Sequence, residues 1–108
     1  MDLAVVCYRV TAGFPKSETF GMTSQIRRSS ASIAANIAEG YGRQSRGSYV
    51  QFLRVAQGSL KELETFLLLA ERVGLAPSDA FVGPLESCET VGKMLQSLIR
   101  SVDGEPRT

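Results

Sequence analysis

The sequence predicts an all-α fold, an up-down-up-down antiparallel four-helix bundle. Apolar residues recur at intervals of three and four positions in four separate blocks. Strand signals are weak, because no alternating run of Val, Ile and Thr is bounded by hairpin turns. The connections between blocks are short, which favours antiparallel neighbours. The 108 residues suit one domain. We expect that bundle domain to span residues 1–102 and a flexible tail to span residues 103–108.

The first two predicted helices are delimited by turn residues. The first covers about residues 2–12 and ends before Pro15, since the residue preceding a proline avoids helical angles. The second runs from about Ser17, as a plausible N-cap, to Tyr41. Glu18 then lies near the positive end of the helix dipole. The apolar stripe of the first helix is made by Leu3, Val6, Cys7 and Val10.

The third and fourth predicted helices are separated by a glycine and a proline. The third covers residues 48–73 and ends at Gly74, a C-cap signal. The fourth runs from about residue 78 to Val102, or starts nearer to Pro84, which suits a first helical turn. Its predicted apolar stripe consists of Phe81, Leu85, Cys88, Gly92, Leu95, Ile99 and Val102.

The second helix shows three different faces when its residues are placed about 100° apart. The predicted core face consists of Met22, Ile26, Ser30, Ile33, Ile37 and Tyr41. A small-residue face beside it consists of Ala31, Ala34, Ala35 and Ala38. A polar face consists of Gln25, Arg28, Ser32, Asn36, Glu39 and Arg43. Alanine is the best helix former and polar faces are commonly solvated, so plain surface remains an alternative for both.

Ser and Asn are poor residues in the middle of a helix, because they compete for backbone hydrogen bonds. We therefore expect a polar network between the second and third helices, within the bundle or at a subunit contact. Its predicted members are Ser32, Asn36, Glu39, Ser59 and Glu62. Gly58 lies beside them in mid-helix, where glycine costs about 1 kcal/mol relative to alanine. Close packing of Gly58 against the second helix would offset that cost.

The net charge is only +1, but it is unevenly distributed. Residues 1–54 carry seven basic and three acidic residues, and residues 55–108 carry five basic and eight acidic ones. The basic half predicts a surface for nucleic acid, RNA above all, through phosphate contacts. Its candidate residues are Arg27, Arg28, Arg43, Arg46 and Arg54. The alternative is that the two halves complement each other across the fold or a subunit contact.

The sequence offers no catalytic constellation. It contains no histidine and no CxxC pair, so we expect no catalytic residue, no metal site and no cofactor. Cys7 and Cys88 sit among apolar residues and are predicted to be reduced packing residues. No apolar run approaches the ~20 residues that cross a bilayer, and the start is not a secretory signal. We therefore expect a cytoplasmic protein that does not bind a membrane.

Four segments carry a family resemblance. They are FPKSE at 14–18, QIRR at 25–28, SIAANIAEG at 32–40 and FLRVAQGSLKELE at 52–64. At this spacing, over residues 3 to about 75, the sequence resembles the bacterial four-helix bundle family named for proteins encoded in 23S ribosomal RNA intervening sequences. The accessory variability proteins of diversity-generating retroelements are relatives. The sequence departs from the family pattern in its short first helix and in Ser29-Ser30, where the family tends to have alanine.

The resemblance implies a ring-like homopentamer and no enzymatic activity. In the accessory variability relatives, basic ring surfaces engage RNA and a reverse transcriptase. The leading hypothesis is therefore a non-enzymatic oligomeric scaffold or adaptor, whose partner is another copy of itself. The alternative is an accessory protein that binds RNA, or a reverse transcriptase, through a basic surface of the oligomer.

Overall fold

The computed structural model describes residues 2–103 and consists of four α-helices. They are α1 (Asp2–Ala12), α2 (Met22–Tyr41), α3 (Arg46–Arg72) and α4 (Val82–Asp103). Single 3₁₀ turns at Lys16–Glu18 and Ser78–Phe81 precede α2 and α4. No strand occurs in the described part of the chain. The predicted all-α four-helix fold is thus confirmed.

Each helix packs against its neighbours in sequence, and α4 returns to pack against α1. The contact between α2 and α3 is the most extensive of these. The bundle is elongated, 51 × 22 × 18 Å. Because α1 has 11 residues whereas α3 has 27, α1 covers only part of the bundle length. Phe14, after α1, contacts Phe81, before α4, with ring centroids 6.1 Å apart. The last residues of α1 and the first of α4 therefore meet at the same end.

The core is aliphatic and continuous along the three long helices. Burying each such side chain contributes about 1.5–3 kcal/mol to stability. The fully buried large side chains include Ile26, Ile33, Leu53, Leu63, Leu67, Phe81 and Leu95. Cys7 and Cys88 are also buried and are not joined by a disulfide. Both cysteines thus serve as packing residues, as the sequence predicts.

The start of α2 differs from the predicted one. The helix begins at Met22, not at Ser17, because residues 16–18 form a separate 3₁₀ turn after Pro15. The N-cap residue is Gly21, which has no side chain to cap the helix. Glu18 supplies the cap instead, since its Oε1 accepts a hydrogen bond from the Met22 amide at 3.2 Å. Glu18 thus lies at the positive end of α2, although the N-cap prediction was wrong.

The ends of α3 and α4 follow the turn signals within a few residues. Helix α3 starts two residues early, because the Ser45 hydroxyl accepts a hydrogen bond from the Ser48 amide at 3.0 Å. Gly74 follows it with φ +75°, a left-handed conformation that suits glycine. Helix α4 includes Pro84 in its first turn. The tail expected at 103–108 overlaps α4 at Asp103, and its remainder lies outside the described residues.

Gly40 lies where α2 and α3 approach each other closely. A Cβ atom on Gly40 would lie 2.9 Å from Phe52 Cβ, 3.0 Å from Tyr49 Cδ1 and 3.3 Å from the Tyr49 carbonyl oxygen. Real Cβ atoms essentially never approach other atoms so closely. Only glycine therefore allows this helix crossing without displacement of α3.

Gly58, in contrast, does not pack against α2, so the sequence-based prediction was wrong. It is exposed, and no atom lies within 4 Å of its Cβ position. The reason is rotational: Ser59 faces α2, and the preceding residue points about 100° away from it. The structure provides no contact within the bundle that offsets the cost of this glycine.

The two glycines give a matched pair of substitutions. We expect Gly40→Ala to destabilise the fold by about 1–3 kcal/mol, because the new methyl group overpacks the α2–α3 contact. Gly58→Ala should instead stabilise α3 by up to about 1 kcal/mol, since alanine is the better helix former and space is open. Urea denaturation of both variants checks this. Equal stability of the two variants would contradict the assigned helix crossing.

The buried thiols predict low reactivity. Burial raises the pKa of Cys7 from 9.0 to about 11 and that of Cys88 to about 12, with Cys7 and Glu64 adding to the effect at Cys88. Thiolates are the reactive form, so an aromatic disulfide reagent should label the native protein slowly near neutral pH. The free energy of unfolding should fall as pH rises from 9 toward 11–12, because unfolded thiols ionise first. Rapid labelling of both native cysteines would contradict their burial.

Candidate functional site

Three of the predicted polar residues form one hydrogen-bonded network between α2 and α3. The Ser32 and Ser59 hydroxyl oxygens are 2.9 Å apart. The Asn36 side-chain amide donates to the Ser32 carbonyl at 2.8 Å and to the Ser32 hydroxyl at 3.1 Å. Ser59 is buried, and Ser32 and Asn36 are half-buried. The polar residues in mid-helix thus have partners inside the bundle.

The two predicted carboxylates lie outside this network and make ion pairs instead. Glu62 of α3 contacts Arg28 of α2 at 3.0 Å, which adds a second polar link between these helices. Glu39 contacts Arg43, four residues later, at 2.6 Å. All four side chains are about half exposed, so each pair contributes only about 0–1 kcal/mol. The structure therefore joins Ser32, Asn36 and Ser59 but not Glu39 or Glu62.

The alanine face of α2 points away from the core. Ala31, Ala35 and Ala38 are exposed, whereas Ala34 is half-buried. Tyr41, predicted to lie in the core, is instead 79% exposed and stacks edge-on against Tyr49 with centroids 6.3 Å apart. It lies at the last turn of α2, the end opposite to the one where α1 meets α4. The short α1 leaves this end of the core face uncovered.

Three of the five candidate arginines are engaged within the chain. Arg27 donates from Nε to the Thr11 hydroxyl at 2.8 Å and lies 4.6 Å from the Tyr8 ring centroid. It therefore fastens α1 to α2. Arg28 contacts Glu62 and also donates to the Gln25 side chain. Arg43 contacts Glu39 and lies 4.7 Å from the Phe52 ring centroid.

Arg46 and Arg54 are exposed and make no ion pair within the described residues. Arg46 is the first residue of α3, directly after the capping Ser45. The first turn of α3 carries no acidic residue. The α2–α3 turn thus combines two arginines, Arg43 and Arg46, with the positive end of a long helix dipole. Arg27 does not belong to this surface.

Tyr8 and Thr11, the partners of Arg27, are not predictable as such from the sequence. Thr11 is buried, and its hydroxyl also donates to the Cys7 carbonyl at 2.8 Å. The spacing of the apolar residues of α1 marks the stripe that faces the core, but it does not show which polar group on α2 lies opposite. The available signal in the sequence is the position of Thr11 one turn after Cys7, which places a hydroxyl on the apolar stripe of α1.

Within residues 2–103, no group of three His, Cys, Asp or Glu residues is placed to hold a metal ion. None of the described helices is long and apolar enough to cross a membrane.

Comparisons with known proteins agree with this geometry. The family model of the 23S rRNA-intervening sequence protein matches residues 1–97. A crystal structure from Bacteroides thetaiotaomicron is similar, with a TM-score of 0.81 and 28% sequence identity over 92% of this chain and 93% of that one. That structure is described as a protein of unknown function from the S23 ribosomal protein family. No curated protein matches the sequence. The chain therefore belongs to the 23S rRNA-intervening sequence protein family.

Proposed function

We propose that the protein is a non-enzymatic scaffold or adaptor that assembles with copies of itself through the outer surface of the α2–α3 pair. The observation that carries this proposal is the exposed row Ala31, Ala35 and Ala38. Small side chains in such a row let the backbone of another helix approach closely. A ring of five copies is what the family resemblance implies.

The surroundings of the alanine row resemble an interface. Val55 of α3 lies one turn before Ser59, on the side that faces α2, and is 45% exposed. The Ser32–Ser59 contact sets the helix register, so Val55 lies level with Asn36, the neighbour of Ala35. The ion pairs Arg28–Glu62 and Glu39–Arg43 lie beside this apolar centre. An apolar centre with a polar rim is the usual anatomy of a protein–protein contact.

A charge placed in the alanine row tests the assembly. Wild-type protein at micromolar concentration should scatter light as a multiple of the 11.7 kDa chain, five copies in the proposed ring. Ala35→Glu should shift the mass toward a single chain, because a buried unpaired carboxylate is costly. Ser97→Glu, on the exposed surface of α4, is the matched control and should leave the mass unchanged. A wild-type protein that is already monomeric would refute this function.

A second candidate function is RNA binding at the α2–α3 turn. Arg43 and Arg46 flank the turn, Arg54 is exposed farther along α3, and the start of α3 bears no acidic residue. Phosphates would meet both the guanidinium groups and the positive helix end. In an oligomer each copy adds one such patch, so weak contacts would sum to useful avidity. Base-specific reading is not part of this proposal.

The RNA candidate predicts a position-dependent effect. Arg46→Gln should weaken retention of single-stranded RNA on a filter and reduce the slope of log K against log salt by about 0.7 for each lost phosphate contact. Arg72→Gln, at the other end of α3, should change neither quantity. Arg27→Gln should instead lower the stability of the fold, since Arg27 fastens α1. No retention of RNA by wild-type protein at low salt would exclude this function.

A further inference from the structure

A groove runs along the outside of the bundle between α3 and α4. Gly58 of α3 and Gly92 of α4 lie in its middle, and Leu60 and Cys88 form its floor. The central part has a volume of about 580 Å³, and the groove continues toward Arg100 and Asp103 near the end of α4. It is separate from the alanine row and from Arg43 and Arg46 of the α2–α3 turn, and it shares only Arg54 with the candidate RNA surface.

Like charges face each other across this groove. A Cβ atom on Gly92 would lie 3.3 Å from Leu60 Cδ2, which sets the register of the antiparallel helices. Residues whose numbers sum to about 152–154 therefore lie opposite each other, within two residues along the helices. The facing pairs, in order along the groove, are Glu64 and Glu89, Lys61 and Lys93, Gln57 and Gln96, and Arg54 and Arg100.

The two basic pairs are not neutralised across the groove. In residues 2–103 no ion pair joins α3 to α4; the groove holds only the Glu89–Lys93 contact along α4, at 3.8 Å and highly exposed. The α2–α3 contact differs, because Arg28 and Glu62 do pair across it. Facing like charges repel and do not stabilise the α3–α4 contact. A ligand with negative charge would relieve this repulsion.

The space above Gly58 is large enough for the side chains of a ligand. Gly58 has no atom within 4 Å of its Cβ position, and a glycine in mid-helix costs about 1 kcal/mol relative to alanine. Leu60 and Cys88 are buried beneath the groove, so its apolar lining comes from the two glycines and from the aliphatic stems of the flanking Lys and Gln side chains. The groove therefore suits a ligand that presents apolar side chains to the floor and negative charges to both walls.

The spacing of the charges selects the ligand further. Lys61 and Arg54 are seven residues apart, which is about 10.5 Å or two helical turns. Glu64 and Glu89 close the basic stretch at one end, and Asp103 lies at the other. A continuous phosphate chain along the groove would meet these carboxylates, whereas a short acidic helix fits between them. The basic stretch is thus bounded on both sides.

We infer that the α3–α4 groove binds an acidic amphipathic helix of a partner protein, with carboxylates on both edges two turns apart and small apolar residues between them. The inference deepens the adaptor function proposed above and rests on it, because an adaptor needs a surface for a partner besides its contacts with itself. Self-assembly uses the outer face of α2, so the two claims fail separately.

The probe is a fluorescein-labelled helical peptide of about three heptads, with Ala and Leu at a and d. Glu occupies only two successive e and two successive g positions in its middle, and Gln occupies the other e and g positions. Full-length protein is titrated into it and anisotropy is measured. We expect saturable binding that weakens with salt, and no binding of the same peptide with Lys at e and g. The double variant Lys61→Glu with Lys93→Glu should bind roughly tenfold more weakly or worse, because like charges then face the peptide. Lys16→Glu, in the turn before α2, is the control.

A steric variant separates docking from folding. Gly58→Leu should bind the peptide roughly tenfold more weakly because its side chain fills the groove, while circular dichroism shows unchanged or higher thermal stability. Gly83→Leu, also in open space but in the first turn of α4, should bind as wild type does. Equal binding by Gly58→Leu and wild type would overturn the inference.

Two further outcomes would also overturn it. One is that a single-stranded RNA displaces the peptide from the groove and loses affinity in Gly58→Leu. The other is that the wild type does not bind the peptide while Gly58→Leu changes the oligomer mass, which would assign the groove to a second copy of the chain. Peptide binding by a monomeric protein would instead support the groove and refute the proposed self-assembly.

Discussion

The close crossing of α2 and α3 is the contact on which the rest of the molecule depends. Gly40 lets the backbone of α2 lie against Tyr49 and Phe52. The Ser32–Ser59 hydrogen bond fixes the register of the two helices. A shift by one turn would separate the Ser32 and Ser59 hydroxyls. Loss of a partner at the buried Ser59 costs more than a formed hydrogen bond gains. This crossing turns the polar face of α2 toward α3. The alanine face is left on the outside as a consequence, which is where a second chain can reach it.

Sequence periodicity predicted the fold class because long amphipathic helices leave a strong signal. The stripe predicted for the fourth helix includes the buried Cys88, Leu95 and Ile99 of α4 and Phe81 in the turn before it. Helix starts were less predictable. Ser17 looks like an N-cap, but a 3₁₀ turn and Gly21 intervene before the first residue of α2. The sequence predicted that polar residues of α2 and α3 interact, but it did not predict which of them do. Periodicity shows on which side of a helix a residue lies and not which residue it contacts. Glu39 and Glu62 therefore pair with arginines and not with Asn36.

The uneven charge of the chain is only slightly compensated by ion pairs. Among the described residues, Arg28–Glu62 alone joins the basic first half to the acidic second half, and the other two pairs lie within one half each. Within one chain, the basic first half and the acidic second half therefore neutralise each other at the Arg28–Glu62 contact alone, among the described residues. The remaining charges are arranged in separate areas: arginines at the α2–α3 turn and facing like pairs along α3 and α4. Such areas are what steer charged partners toward particular faces of a protein.

The half-length of α1 divides the bundle into a four-helix end and a three-helix end. Local opening of a folded chain follows the density of buried apolar contacts, and it does not have to involve the whole domain. Opening of the three-helix end therefore requires the α2–α3 crossing at Gly40 to separate, because α1 does not reach that end. The same end carries the exposed Tyr41 and the exposed arginines of the α2–α3 turn, Arg43 and Arg46. The exposed cationic groups thus lie beside the crossing that holds this end together, so a charged partner bound to them would strengthen or loosen that crossing without contact to α1.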